Sequence, residues 1–390
     1  MKKKILFIGD AVTPTGFSRV NHSIIENLDS ERFEVHHLGI NYYGDPHDFK
    51  HKIYPASIRG DIYGVNRIKE FKVLAPDVIF ILNDLWMTDK YLAEIKGVWG
   101  SQPPKVVVYI PVDASHFDPD WFKNFDVVSQ AVAYSQFGYD VLKKAAPKTI
   151  DFKIVPHGVT TKIFYPLKEG RREIKAQLYP PKDEFLDSFI VLNAHRNQPR
   201  KRIDIALHGF ALFAEGKPAN VKYYHHAGIT DVGWNALRLA KHYGMDKRII
   251  LTNLEQQVQR VSDDRLNMIY NACDVGINTS LGEGWGLPNV EHAATGAVQV
   301  VPGNSTSQEL FQDCGIIIPP KLEMVLERIN TIGSICSPED VATALQTLYD
   351  SPELTKELSE KCLKKFTSEQ YSWKVIARQW EDIFDEVTKE

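Results

Sequence analysis

The sequence predicts an α/β protein made of two doubly wound, parallel-sheet domains facing a central cleft. Three observations predict it. Strand-length apolar runs alternate with amphipathic stretches in the order βαβα, and this happens in both halves of the chain. A polar, proline-bearing stretch from Tyr165 to Asp187 separates the halves. The length of 390 residues is large for one domain and comfortable for two, each able to bury its own core.

In the first half the runs are Ile5–Ile8, a helical pattern over Phe17–Leu28, then Phe33–Ile40, Val78–Leu82, Val106–Ile110 and Ala131–Tyr134. In the second they are Phe189–Asn193, Val221–His225, Arg248–Thr252, Val275–Asn278 and Val298–Val301. Continuous apolar runs of this length suit strands buried on both faces. Ligands of such sheets bind beyond the carboxyl ends of the strands, so the loops there carry the chemistry.

Composition narrows the function. With 43% hydrophobic and 25% charged residues the chain is an ordinary packed protein. The formal net charge of −4 creates no overall positive field, which disfavours nucleic acid while leaving room for a local basic groove. Cys273, Cys314, Cys336 and Cys362 form no CxxC pair and read as thiols of a reducing compartment. The apolar run after Met1-Lys2-Lys3-Lys4 stops at Gly9-Asp10, short of a secretory signal, and no run reaches the roughly 20 residues of a membrane span. A cytoplasmic location is expected.

The richest stretch runs from Asn278 through Glu283-Gly284-Trp285-Gly286-Leu287-Pro288 to Glu291. It follows a predicted strand and opens a helix, with Pro288 suited to the first turn and glycines that let backbone approach a ligand. A helix start after a Gly-rich turn favours an anion, and phosphate is the natural guest. Glu283 and Glu291 stand eight positions apart, one in the loop and one about a turn into the helix. Carboxylates accept paired O–H hydrogen bonds, which suits sugar and ribose rings. After the first strand of the second half comes Asn193-Ala194-His195-Arg196-Asn197-Gln198-Pro199-Arg200-Lys201-Arg202. Arg196 and Lys201 are suited to neutralise a diphosphate and to stabilise its charge as it leaves, although a basic run alone is commonly a solvated loop.

Arg196 followed five residues later by Lys201, and Glu283 followed by Glu291, resemble the donor-site motifs of glycosyltransferase family 4, a retaining family of the GT-B fold. The early Gly16 loop, Pro156-His157-Gly158-Val159, Tyr270-Asn271-Ala272-Cys273-Asp274-Val275 and the terminal Tyr371-Ser372-Trp373 extend the resemblance over nearly the whole chain. It implies an acceptor domain over 1–165, a donor domain over 166–372, and a final segment 373–390 that packs back on the first. It also implies Arg196 and Lys201 on the diphosphate, Glu291 on the ribose, and Glu283 with the amides of Gly284, Trp285, Gly286 and Leu287 on the transferred sugar. Gly16 and Phe17 would let the first loop approach the donor phosphate. The His195-Arg196-Asn197 loop resembles members that use GDP-sugars, so GDP-mannose ranks first as donor and UDP-glucose second. No further cofactor is implied.

For the first domain, many relatives carry a histidine in the loop after the strand Val106–Ile110, whereas here Asp113 occupies that place and His116 lies beyond. A carboxylate there could polarise an acceptor hydroxyl or steady an oxocarbenium-like centre, or could only cap its loop. Asp118-Pro119-Asp120 has the form of a metal-binding DxD but also of a solvated proline turn, and no metal is expected. His225-His226 reads as strand-end packing, and Asn253 as a candidate contact to the base. The acceptor, a glycan, a lipid-linked sugar or another hydroxyl, is not marked by any pattern. A nucleotide-sugar epimerase of the same fold, a transferase for a modified nucleic-acid base, and a binding protein that retains the pocket without turnover are the competing readings.

Overall fold

The computed structural model describes residues 2–58, 60–178, 183–255, 257 and 261–389. Two compact units emerge, one formed by residues 1–158 with 369–390 and the other by 159–368.

The first unit opens with β1 (Lys3–Asp10), α1 (Gly16–Ile25), β2 (Phe33–Ile40), β3 (Lys52–Pro55), β4 (Val78–Leu82) and α2 (Leu85–Trp99). It continues with β5 (Lys105–Ile110), β6 (Val128–Ala133), α3 (Gln136–Ala145) and β7 (Phe152–Ile154). The seven strands form one sheet in the order β3-β2-β1-β4-β5-β6-β7, all pairs parallel. The order of strand addition therefore reverses between β1 and β4, the position where open α/β sheets take their ligands. Every residue of β4 is buried, as its unbroken apolar run requires.

The second unit contains α4 (Arg171–Leu178), α5 (Asp183–Leu186), β8 (Phe189–Asn193), α6 (Ile203–Ala214), β9 (Val221–His225), α7 (Ala236–His242) and β10 (Ile249–Leu251). Then come α8 (Asp263–Ala272), β11 (Val275–Ile277), α9 (Leu287–Ala294), β12 (Val298–Pro302), α10 (Ser305–Phe311) and β13 (Ile316–Ile318). An antiparallel hairpin, β14 (Leu322–Val325) with β15 (Ile332–Ile335), precedes α11 (Pro338–Asp350) and α12 (Pro352–Phe366). The six-stranded parallel sheet has the order β10-β9-β8-β11-β12-β13. Its faces bury separate cores. Val191, Val221 and Tyr223 pack with α6 and α11 residues such as Phe210 and Val341, whereas Ile190, Leu192 and Tyr224 pack with Ile269 and Tyr270 of α8.

The last helix, α13 (Trp373–Val387), belongs to the first unit. Its apolar stripe, Ile376, Ala377, Trp380, Ile383 and Phe384, has helical spacing and is buried. The Trp380 ring meets Phe80 edge-on at 5.0 Å and Tyr109 at 4.6 Å. Arg32 pairs with Glu381 at 2.7 Å, and Lys3 with Asp385 at 2.6 Å. Gly158 admits the start of this helix, since a Cβ there would lie 2.8 Å from the Trp373 ring. Among the described residues no helix is long and apolar enough to cross a membrane.

Candidate functional site

In the second unit the switch in direction falls between β8 and β11, so the loops leaving these two strands meet. The first runs from Ala194 into a short turn, Pro199–Lys201, and ends at Arg202, whose φ of 49° starts α6. The second, after β11, is the glutamate loop. They are joined by backbone: Leu281 N–H donates to Arg200 O at 2.8 Å, and the Thr279 hydroxyl donates to Arg202 O at 2.8 Å.

This seam puts Lys201 against Glu283. The Lys201 ammonium lies 2.5 and 2.7 Å from the two carboxylate oxygens. Arg200 Nη1 is 3.6 Å from Glu283 Oε2 and donates to Gly282 O. The Ser280 hydroxyl donates to Glu283 Oε1 at 2.7 Å, and His195 Nδ1 stands 3.4 Å from the same oxygen. Glu283 is only 4% exposed. Burial pushes its carboxyl up, but the Lys201 ammonium and the Arg200 guanidinium outweigh burial and hold it well below the usual carboxylate range. Glu283 is thus an ionised acceptor at neutral pH. Burial likewise lowers His195 to about 4, so its ring is neutral.

Beneath the pair runs a chain of buried amides. Asn289 Oδ1 accepts from His195 Nε2 at 2.6 Å and from Asn278 at 3.1 Å, while its Nδ2 donates to Gln299 at 2.8 Å. Gln299 Nε2 lies 3.2 Å from His292 Nδ1. The partners come from the loops after β8 and β11, from α9 and from β12, and buried hydrogen-bond networks of this kind fix one arrangement of side chains. Gly286, with φ of 85°, starts α9 in a backbone conformation that favours glycine, and no side chain caps that start. Glu291, in the first turns of α9, is 5% exposed and accepts from the Tyr270 hydroxyl at 3.2 Å.

The other expected residues lie as follows. Arg196 is turned to Asp231, with Nε–Oδ2 of 2.6 Å and Nη2–Oδ1 of 3.1 Å, and its side chain is half exposed. Asp231 sits on the loop after β9, which Asn197 ties down through Gly228 O, Ile229 O and both backbone groups of Trp234. Asn253 follows β10 and accepts the Glu255 N–H at 2.8 Å, and residues 256 and 258–260 of that loop lie outside the described residues. His225 is buried at the end of β9, and His226 Nδ1 lies 2.6 Å from the Thr252 hydroxyl. Trp285 is buried, whereas Gly284 and Leu287 are partly exposed.

In the first unit Gly16 begins α1 beneath the Thr15 cap, with Phe17 half-buried. Thr15 donates to Asp10 at 2.6 Å, and burial raises the Asp10 carboxyl. Asp113 is half-buried in the loop after β5, and the exposed His116, with φ of 60°, lies 2.9 Å from the Ser115 hydroxyl. Asp118 caps its own turn by accepting the Asp120 N–H. No cluster of three or more metal-ligating side chains occurs among the described residues.

Comparison with solved structures settles the architecture. Sucrose-phosphate synthase from Thermosynechococcus elongatus superposes with a TM-score of 0.74 at 15% identity, covering 99% of both chains. The Anabaena protein HepE, in complex with UDP and glucose, gives 0.72 at 16% identity over 98% of this chain and 100% of its own. The fold is GT-B. WaaG, a GT-B match described as a glycosyltransferase involved in lipopolysaccharide biosynthesis, gives 0.71 at 13% identity over 98% of this chain and 99% of its own. No family model matches the chain. In sequence, the serotype-specific mannosyltransferase WbdA of Escherichia coli is 30% identical over 121 residues, which is 30% of this chain and 13% of that protein's length.

Arg200, Asn289 and the pair Asn304-Ser305 were not singled out by sequence, and His195 and Asn278 were named there only as parts of longer stretches, with no role of their own. Only Asn304-Ser305, a polar pair at the head of α10, carries a local signal of its own, that of a helix cap.

Proposed function

We propose that this GT-B chain is a retaining hexosyltransferase that takes its sugar from a nucleoside diphosphate donor bound at the carboxyl edge of the second unit's sheet. The single observation that carries the reading is the buried Lys201–Glu283 pair beside the glycine-started helix α9. An ammonium has three N–H donors, so Lys201 can hold both Glu283 oxygens and still reach a phosphate oxygen. Glu283, kept ionised, accepts hydroxyl groups of the sugar, and Glu291 accepts those of the ribose. As the bond from sugar carbon to phosphate oxygen breaks, its electron pair leaves on the diphosphate. Lys201, Arg196 and the start of α9 stabilise that charge. The acceptor hydroxyl attacks the same face of the sugar and gives up its proton to the departing phosphate.

The names of relatives support the class of donor: HepE is solved with UDP-glucose, and WbdA is a mannosyltransferase. GDP-mannose is the first donor to try, UDP-glucose the second, with a glycan or lipid-linked hydroxyl as acceptor. A thermal-shift series with GDP, UDP, ADP and their sugars is the first measurement. A nucleotide at 100 times its Kd stabilises the folded state by about 2.7 kcal/mol. The reading stands if one base raises Tm and its sugar nucleotide then releases nucleoside diphosphate with an acceptor. It falls if no nucleotide shifts Tm, and sugar inversion without any acceptor would replace it with an epimerase.

A further inference from the structure

We propose that Ser305 is a positioning residue for Glu283. The Glu283 amide N–H donates to Ser305 Oγ at 2.8 Å, a bond between the glutamate loop and the first residue of α10, the helix that follows β12. The Ser305 hydroxyl in turn donates to Asn304 Oδ1 at 3.0 Å. The Asn304 amide donates to Ser280 O at 3.3 Å and Leu281 O at 3.2 Å, and to the backbone and side-chain oxygens of Ser334 at 3.0 Å. Ser334 N–H closes the ring by donating to Leu281 O at 2.9 Å. The carboxylate of Glu283 is therefore gripped by Lys201 from one side while its backbone is gripped by Ser305 from the other.

Two further features show that this arrangement is imposed. Ser305 has φ of 47°, a left-handed conformation that an L side chain adopts only at a cost, and observed strain of this kind concentrates where surroundings over-determine a functional position. The hairpin β14–β15 is pressed on the same loop: a Cβ at Gly333 would lie 2.6 Å from Leu281 O and 2.9 Å from Leu281 Cβ. A glycine at 305 would remove the strain and the hydroxyl together. The serine keeps an oxygen at the one place where the Glu283 amide can use it.

The catalytic consequence of Ser305 rests on the transfer reading above, whereas its geometric consequence does not. The test therefore has two readouts on Ser305→Ala, Ser305→Gly, Ser305→Thr and Gly333→Ala: amide hydrogen exchange by mass spectrometry over residues 278–287, and steady-state turnover of the sugar nucleotide. Ser305→Ala and Ser305→Gly should speed exchange in that segment by about fivefold to tenfold, the loss of one hydrogen bond, without changing exchange in the first unit. Gly333→Ala should do the same by pushing Leu281 from behind, and Ser305→Thr, which keeps the oxygen, should exchange more slowly than either Ala or Gly. kcat should fall by about the same factor while the Kd for nucleoside diphosphate stays within about twofold. Wild-type exchange in Ser305→Gly, or faster exchange spread evenly over the whole unit, overturns the proposal. A wild-type protein that releases no nucleoside diphosphate sinks the transfer reading alone, and the exchange arm still decides the role of Ser305.

Discussion

Both sheets grow outward in two directions from their first strand, β1 in one unit and β8 in the other, and both place loops at the resulting switch point. The rims they build are chemically unlike. In the first unit Asp10 ends β1 and the loops after β4 and β5 carry Asp84 and Asp113, and in the second the loops after β8 and β11 set Lys201, Arg200 and neutral His195 around Glu283. One topology thus yields a carboxylate-lined edge and a cation-bearing edge. The strand order says where a ligand lies, and only the loop side chains say whether that ligand is an anion.

The sharpest way to break this contrast is to unbalance the cation-bearing edge. Lys201→Ala strands a buried carboxylate, so it should cost about 3–5 kcal/mol in denaturant unfolding of the second unit and remove turnover. Glu283→Ala should also remove turnover. The double variant should be markedly more stable than the sum of the two predicts, and strict additivity would show that the pair does not interact.

Next in size is Trp380→Ala, which opens the first unit's core between Phe80 and Tyr109 and should cost about 3–5 kcal/mol there. Nucleotide binding to the second unit should persist at temperatures where that unit stays folded. Loss of binding in parallel with the first unit's unfolding would mean that the two edges are not chemically separable.

Acid should fail to discriminate between the units. Burial lowers His195, His225 and His226 to about 4 in the second unit and His51 to about 4 in the first, below the ordinary 6.5. The unfolded chain then takes up protons before the folded one, so stability is full above about pH 6.5 and falls as pH drops toward 4. Each such ring removes about 1.4 kcal/mol per pH unit in that window. Glu283, lowered below its ordinary 4.5, adds a loss that begins only below that pH. Unfolding at pH 7 and pH 5, resolved by hydrogen exchange, should show both units weakened. A second unit that alone is weakened would contradict the shared burial of imidazoles.

The smallest effect is expected at the carboxylate-lined edge. Asp113→Asn should lower transfer about tenfold, roughly 1.4 kcal/mol of barrier, and leave the Kd for nucleoside diphosphate unchanged. An unchanged rate would leave Asp113 with its loop-capping role.

Much of the architecture was legible because the central strands, such as Val78–Leu82 and Val221–His225, are buried on both faces and must be apolar throughout. The edge strands β3, β7 and β13 were not read, being short and partly exposed, with Pro55 ending the first of them. The hairpin β14–β15 escaped for a related reason: Leu322 and Val325 are apolar yet exposed, so its pattern carries no buried face. In the site, Lys201, Glu283 and Glu291 stood out through spacing within single loops. Arg200 and Ser305 did not, because their roles arise only when sheet order brings β8 and β12 to either side of β11. The fork between Arg196 and Asp231 joins two loops on neighbouring strands, and no local pattern announces it.

The membership of α13 in the first unit bears on how the chain matures at the ribosome. When residue 368 has been added, the whole second unit has been synthesised, yet the first still lacks the helix that covers Phe80 and Tyr109. The N-terminal half must wait with an uncovered aromatic face until residues 373–387 have been added after the whole second unit, a period in which chaperones, or premature association with other nascent chains, would act on it.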